Sequence, residues 1–164
     1  MQQLIGISKG TDDLASMARK VNEMMTEIYT GKGPVPAWVR VGYALGFGLF
    51  ATPALTSSIT MFQLVPNQII HAVKIKHSEP FSGGGLTGYT VSVGVGGTAD
   101  KYASAFDVFQ APGSRIYEVS LNLDGEDAAN STPVIATATS TGANLDAATM
   151  GTVDIWALLS VAAK

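Results

Sequence analysis

Cysteine is absent from the 164 residues, and charged side chains are scarce. Without cysteine, the chain has no disulfide framework, no thiolate zinc site and no cysteine nucleophile. Charged residues make up 14% of the sequence, whereas about a quarter is usual in globular domains. The net charge of −3 argues against a nucleic-acid-binding protein that depends on a basic patch. These absences leave a surface built largely from small, weakly polar residues, which suits extended strands and flat contacts.

Long apolar segments are also missing. The longest apolar run, Val41 to Leu55, has about 15 residues and is interrupted by three glycines and a proline, whereas a membrane helix needs about 20 residues. Residues 1–9 show no basic segment followed by an apolar one, so we expect no secretory signal there. We therefore expect no membrane partner.

The first 40 residues hold nine of the 23 charges and have a helical pattern. Thr11 or Asp12 is a suitable N-cap, and Gly31 and Pro34 are typical of a helix end. Between them, apolar residues follow the 3-4-3-4 spacing of a heptad seam: Leu14, Met17, Val21, Met24 and Ile28. An amphipathic helix could lie on its own sheet, or the seam could contact other copies or a larger partner. We predict an N-terminal arm over residues 1–36 with this oligomer or partner interface.

From Trp38 onward, the apolar pattern changes to a period of two, which predicts β-strands. Residues 37–164 are therefore predicted to form one β-domain, an antiparallel β-sandwich or jelly roll of about eight strands. Glycine, proline and asparagine separate the strands, at Pro66-Asn67 and Gly96-Gly97 for example. The predicted strands are Trp38–Leu49, Ile59–Val65, Ile69–His77, Tyr89–Val95, Ala105–Gln110, Ile116–Leu121, Val134–Ser140 and Val153–Val161.

The first predicted strand has one bulky face and one face that is nearly bare because it carries Gly42, Gly46 and Gly48. Glycine in a strand allows close approach of another backbone. Two explanations are open, a neighbouring subunit or a close-packed second sheet.

The candidate catalytic and metal-binding residues are few. His71 and His77 lie six residues apart on one predicted strand, so they are predicted to share a face, but at about 20 Å from each other they are too distant to bind one metal ion. The neighbouring Lys74 and Lys76 add positive charge to this strand. We interpret this face as a solvated basic strip. Asp107 and Glu118 are the two carboxylates in mid-strand positions that could serve a polysaccharide hydrolase. The acidic cluster around Gly125 does not match a calcium loop and is interpreted as a hairpin turn: Asn122, Asp124, Glu126 and Asp127. We expect no cofactor, no metal and no catalytic residues.

Four aromatic residues could be exposed: Tyr29, Trp38, Tyr102 and Trp156. Such rings either pack in a core or interface, or form a face on which sugar rings stack. Trp156 alternates with Ile155 on the last predicted strand, so it could face outward or cover a second sheet.

Several short stretches resemble small virion proteins of tailed bacteriophages, most closely capsid decoration (cement) proteins. They are Ile70–Ser78, Tyr89–Val95, Phe106–Gln110, Thr141–Leu145 and Val153–Trp156. The resemblance covers about 100 residues and does not include the predicted N-terminal helix. It implies a β-rich oligomer that binds the major capsid protein and acts through contact area, without enzymatic activity.

We therefore expect a structural protein of a phage particle, assembled in the host cytoplasm, which binds and stabilises the capsid surface. A homo-oligomer is expected, most naturally a trimer, because three-fold sites are common on icosahedral shells. The alternative is a module of a tail fibre or spike that binds host polysaccharide. In that case the helix would begin a trimeric stalk and the aromatic residues would contact sugar.

Overall fold

The computed structural model describes residues 37–40, 44–109, 117–122 and 130–161, and these residues are mainly β-strand. Short 3₁₀ helices occur at Phe47–Leu49 and Leu145–Ala147. The strands are β1 (Ala37–Arg40), β2 (Leu45–Gly46), β3 (Thr56–Leu64), β4 (Gln68–Gly83), β5 (Gly88–Val95), β6 (Thr98–Asp107), β7 (Tyr117–Leu121), β8 (Thr132–Thr141) and β9 (Ala148–Val161). The predicted N-terminal helix lies outside the described residues, so the arm stays a prediction.

The strands form two antiparallel sheets. The five-stranded sheet has the order β1-β9-β4-β7, and β2 also pairs with β9; the four-stranded sheet has the order β3-β8-β5-β6. In each sheet, early and late strands of the chain are neighbours, and most connections pass from one sheet to the other. With the two-residue β2 set aside, this is the strand order of a jelly roll. The predicted antiparallel sandwich is confirmed for the described part of the chain.

Alternation along the strands places one apolar face of each sheet in a shared core. Two ring contacts link the sheets directly. The Phe81 ring of β4 stacks on the Tyr89 ring of β5 with centroids 4.4 Å apart, and His77 of β4 meets the Phe106 ring of β6 edge-on at 5.7 Å. Other core side chains include Val73, Ile75, Val91, Val93, Val134, Ala136, Val153 and Ile155.

Two turns within the described residues lie where the sequence predicts them. Asn67 adopts a positive φ of 66° in the turn that leads from β3 into β4, where the Gln68 amide donates to the Val65 carbonyl. Gly97 has a φ of 87° in the tight β5–β6 hairpin, in which Val95 pairs with Thr98. A positive φ at the second residue of a two-residue turn favours glycine, because glycine has no Cβ to clash with the backbone.

The predicted strand Trp38–Leu49 is wrong in its second half. Extended structure covers β1 and β2, after which Phe47–Leu49 form a 3₁₀ helix closed by the Phe50 amide on the Phe47 carbonyl. Leu49 is exposed and Phe50 is fully buried. No heavy atom lies within 4 Å of a Cβ built at Gly46 or Gly48, so nothing described packs closely on the bare face at these glycines.

Tyr89 carries a buried hydroxyl that makes no hydrogen bond. Leaving such a group unsatisfied costs about 1–3 kcal/mol. We therefore expect Tyr89→Phe to raise the free energy of unfolding by about 1–2 kcal/mol in urea titrations. Burial also raises the pKa of Tyr89. The folded chain thus disfavours tyrosinate, and stability should fall as the pH rises above about 10, the pKa of tyrosine in an unfolded chain.

Tyr117→Phe is the matched control, because Tyr117 is half exposed and water can satisfy its hydroxyl. It should change the unfolding free energy by less than about 0.5 kcal/mol. If Tyr89→Phe destabilised the chain, or left its alkaline loss of stability unchanged, this account of the buried hydroxyl would be wrong.

Candidate binding surface

The outer face of the five-stranded sheet carries apolar and basic side chains in register. Lys74 of β4 is the backbone partner of Trp156 on β9 and of Val119 on β7, so these three positions form one row across the sheet. In the next row, Lys76 lies between Asp154 and Tyr117. We call this surface the lysine–aromatic face. Its members are Lys74, Lys76, Tyr117, Val119, Leu121, Asp154, Trp156 and Leu158.

Strand β7 has its apolar side chains on the side away from the core. Tyr117, Val119 and Leu121 are 51%, 42% and 68% exposed, whereas Glu118 and Ser120, which alternate with them, are half-buried. An antiparallel sheet with one solvated face normally places its apolar residues inward. This reversal gives the lysine–aromatic face a contiguous apolar edge.

Lys74 is held between two aromatic rings. Its Nζ lies 4.9 Å from the centroid of the Tyr117 ring and 5.5 Å from that of Trp156. Both distances are within the range of a cation–π interaction, which orients the ammonium group. The two rings thus hold a positive charge on the apolar surface.

Positive charge is concentrated on this sheet. Among the residues that the structure describes, lysine and arginine occur only at Arg40, Lys74, Lys76 and Lys101. Lys74 and Lys76 belong to the lysine–aromatic face and Lys101 lies on β6, whereas only the backbone position of Arg40 on β1 is described. The face thus carries two lysines and one carboxylate, that of Asp154, although the whole chain is acidic.

The outer face of the four-stranded sheet has a different character because hydroxyl side chains cover it. Ser58 and Thr137 are cross-strand partners joined by a 2.8 Å hydrogen bond, and Thr137 is also the partner of Ser92. A second row, with a 3.4 Å contact between the Thr56 and Thr139 hydroxyls, continues to Thr90. This surface is polar, and the second row ends at Asp107, the partner of Thr90 on β6.

The predicted interface residues Leu14, Met17, Val21, Met24 and Ile28 lie outside the described residues, as does Tyr29. The aromatic residues considered for a sugar face separate in the structure: Tyr102 is buried, whereas Trp156 lies beside Lys74 on the outer surface. Of Trp38, only the backbone position on β1 is described. The described aromatic residues therefore do not form one sugar-stacking face.

The prediction that His71 and His77 share a solvated face is wrong. His77 is 1% exposed and belongs to the core, whereas the His71 Nε2 atom forms a hydrogen bond with the Ser160 hydroxyl. The pairing of β4 with β9 shifts register between Ile70 and Ala72. Since a bulge reverses the side-chain alternation, His71 lies on the same side of the strand as the neighbouring lysines, whereas His77 points into the core.

The two mid-strand carboxylates lie in different sheets. Asp107 ends β6, and its Oδ1 accepts a 2.8 Å hydrogen bond from the Phe109 amide, whereas Glu118 lies on β7. The Asn122 side chain, from the predicted acidic turn, donates to the Ile70 carbonyl; residues 123–129 lie outside the described part. Within the described residues, no group of three or more metal-ligating side chains comes together.

Among these same residues, no helix has the length and apolarity needed to cross a membrane.

The sequence shows that Trp156 could face outward, but it does not predict that Tyr117, Val119 and Leu121 are exposed beside it. The alternation in Tyr117–Leu121 correctly predicts a strand, but alternation alone does not tell which side of the strand meets the core. The feature of the sequence that could have indicated this face is that Tyr117, Val119 and Leu121 share one side of the strand, whereas the other side carries only Glu118 and Ser120.

Comparison with known proteins finds a structural likeness without a sequence family. No protein-family model and no curated protein matches the chain. A solved chain described as "Cyanophage Pam1 capsid asymmetric unit" is similar in structure, with a TM-score of 0.56 and 20% sequence identity. The likeness covers 80% of this chain and 88% of that chain. The two chains are thus similar in length, and the described β-domain has a fold found in a chain of a phage capsid.

Proposed function

We propose that this protein is a non-enzymatic structural component of a tailed-phage particle that binds the capsid surface and stabilises the shell. The observation that carries the proposal is the jelly-roll sandwich together with its likeness, over most of both chains, to a chain of a phage capsid. The short stretches that resemble virion decoration proteins lie largely on the strands of this sandwich. The particle surface is then the site where the protein acts.

The two outer faces of the sandwich support a role in contact. One is rich in hydroxyl groups, and the other carries exposed apolar side chains and two lysines. Such surfaces bind through area and complementarity, which is how a decoration protein would clamp neighbouring shell subunits. A protein that binds the assembled shell and not its separated subunits stabilises the shell by mass action.

The oligomeric state is part of the same proposal. We propose a homo-oligomer, most naturally a trimer, in which the N-terminal seam at Leu14, Met17, Val21, Met24 and Ile28 joins copies or contacts the shell. A trimer would match a three-fold site on an icosahedral surface. Its copy number in the particle would then be a multiple of three for each occupied site.

The proposal predicts that shells gain thermal stability from this protein. Capsid shells of the same phage, assembled without the protein, should lose integrity at a lower temperature than shells to which it is added back. At a concentration 100 times the dissociation constant, the expected gain is about 2.7 kcal/mol for each site. Scanning calorimetry measures the transition, and quantitative mass spectrometry of purified particles measures the copy number.

Shells incubated with the heat-denatured protein are the control and should behave like bare shells. An unchanged transition temperature, together with absence of the protein from purified heads, would refute the proposal. A few copies on each particle would instead favour a tail location.

A further inference from the structure

We propose that the lysine–aromatic face is the surface that docks on the shell, and that it recognises a protein surface which is apolar and carries carboxylates. This inference rests on the proposed function and adds to it the contacting face and the chemistry of the partner. Three features carry it. They are the exposed apolar side chains of β7, the Lys74 side chain held between two aromatic rings, and the presence of two lysines on this face of a chain whose net charge is negative.

The reversed edge indicates a covered surface. Side chains in β7 that are 42–68% exposed are apolar, while their neighbours toward the interior are polar. Leu158 on β9 adds to this surface at the row of Leu121, because both are backbone partners of Ala72. Exposed apolar side chains that adjoin one another in this way, rather than lying singly on the surface, commonly mark an interaction site.

The held lysine indicates the charge of the partner. Because Tyr117 and Trp156 already orient the Lys74 ammonium, little side-chain freedom is left to lose when a carboxylate binds to it. Lys76 adds a second positive charge in the next row, beside Asp154. A carboxylate on the partner would form a charge-assisted hydrogen bond with Lys74 at the centre of the apolar surface.

A second copy of the chain is a poorer occupant of this face than an acidic partner. Pairing the face with itself about a two-fold axis would bring the lysines of both copies into one interface. Like charges placed together across an interface oppose binding. A partner that carries carboxylates has the opposite charge to these lysines and avoids this repulsion.

The first test compares two exposed leucines. Leu121 on the lysine–aromatic face is 68% exposed, and Leu55, which precedes β3, is 52% exposed. Binding of each variant to capsid shells of the same phage, assembled without the protein, is measured by co-sedimentation. Leu121→Glu places a repelling carboxylate in the interface and should weaken binding at least about tenfold, whereas Leu55→Glu should bind as the wild type does.

The second test changes charge while preserving the apolar stem. Lys74→Met should weaken binding about fivefold or more and make it less dependent on salt concentration. Lys101→Met is the matched control, because Lys101 also lies over a ring, that of Tyr102, at 5.7 Å but on the four-stranded sheet. Circular dichroism and thermal unfolding check that every variant keeps its fold.

The outcomes separate the inference from the function on which it rests. If the wild-type chain does not bind the shells, both are overturned. If it binds but Leu121→Glu and Lys74→Met bind equally well, the shell-binding function holds and the lysine–aromatic face is excluded as the docking surface. Loss of binding in these two variants, with both controls retained, supports the inference.

Discussion

Gly94→Ala should lower the free energy of unfolding by about 3 kcal/mol or more, the upper range for overpacking a close-packed site. Gly94 lies in the interior of β5, and the backbone of β6 crosses close to it. A Cβ at this position would lie 2.6 Å from the carbonyl carbon of Ala99 and still closer to the carbonyl oxygen of Thr98. Both atoms belong to the backbone of the hairpin partner, so the hairpin must open for even one methyl group to be accommodated.

Gly96→Ala tests the same substitution two residues further along the hairpin. No heavy atom lies within 4 Å of a Cβ built there, so its unfolding free energy should stay within about 0.5 kcal/mol of the wild type. Urea titrations monitored by circular dichroism compare the two variants. Equal stability of the two would mean that the close approach of β6 to β5 is not a constraint on the fold.

The sequence predicts the strands best where alternation is strict and turn residues bound the segment. Tyr89–Val95 was predicted, and β5 runs from Gly88 to Val95. Val134–Ser140 was predicted, and β8 covers it with two residues more at its start and one more at its end. In β5 every second residue from Tyr89 to Val95 is apolar and contacts the core, and in β8 the same holds for Val134, Ala136 and Ala138. The alternation in the sequence therefore has its physical cause in burial of one side of the strand.

The start of β6 is predicted poorly, because its first residues are mainly polar and its apolar residues do not alternate strictly. The sequence predicts a strand from Ala105, but β6 begins at Thr98, because the tight turn at Gly97 brings Thr98 opposite Val95. Within this segment the adjacent residues Tyr102 and Ala103 both belong to the core, so the alternation is broken where the register with β5 shifts. The additional length of β6 depends on its pairing with β5, and a short window of sequence carries no information about the neighbouring strand.

The position of His77 shows a second limit. A constant period of two places it on the face of His71, but the bulge near His71 reverses the alternation. The same limit affects the candidate binding surface. The lysines and the apolar residues of β7 are visible in the sequence, but their meeting on one face depends on β4 lying between β7 and β9. In the rows of Lys74 and Lys76, the paired residues of β4 and β7 are 41–45 positions apart in the chain, and those of β4 and β9 are 78–82 positions apart.

Phe81→Ala should destabilise the domain by about 3–5 kcal/mol, the usual cost of removing a buried phenylalanine ring. Phe81 is fully buried near the end of β4, and its ring stacks on Tyr89 of the opposite sheet with an interplanar angle of 24°. Gly151 of β9 packs against the same ring so closely that a Cβ there would lie 2.6 Å from Cδ1. The backbone amide of Phe81 also donates a 2.9 Å hydrogen bond to the Val108 carbonyl.

The ring therefore fills the space between the two sheets beside Gly151. Gly151 has no side chain that could occupy this space if the ring were removed. Neighbouring groups cannot collapse into the resulting cavity without moving β9, which places the cost at the upper end of the range. Phe62→Ala is the control, since Phe62 of β3 is only partly buried against the core and should cost less than half as much. Urea titration measures both, and a similar loss in the two variants would show that the Phe81–Tyr89 stack does not hold the sheets together.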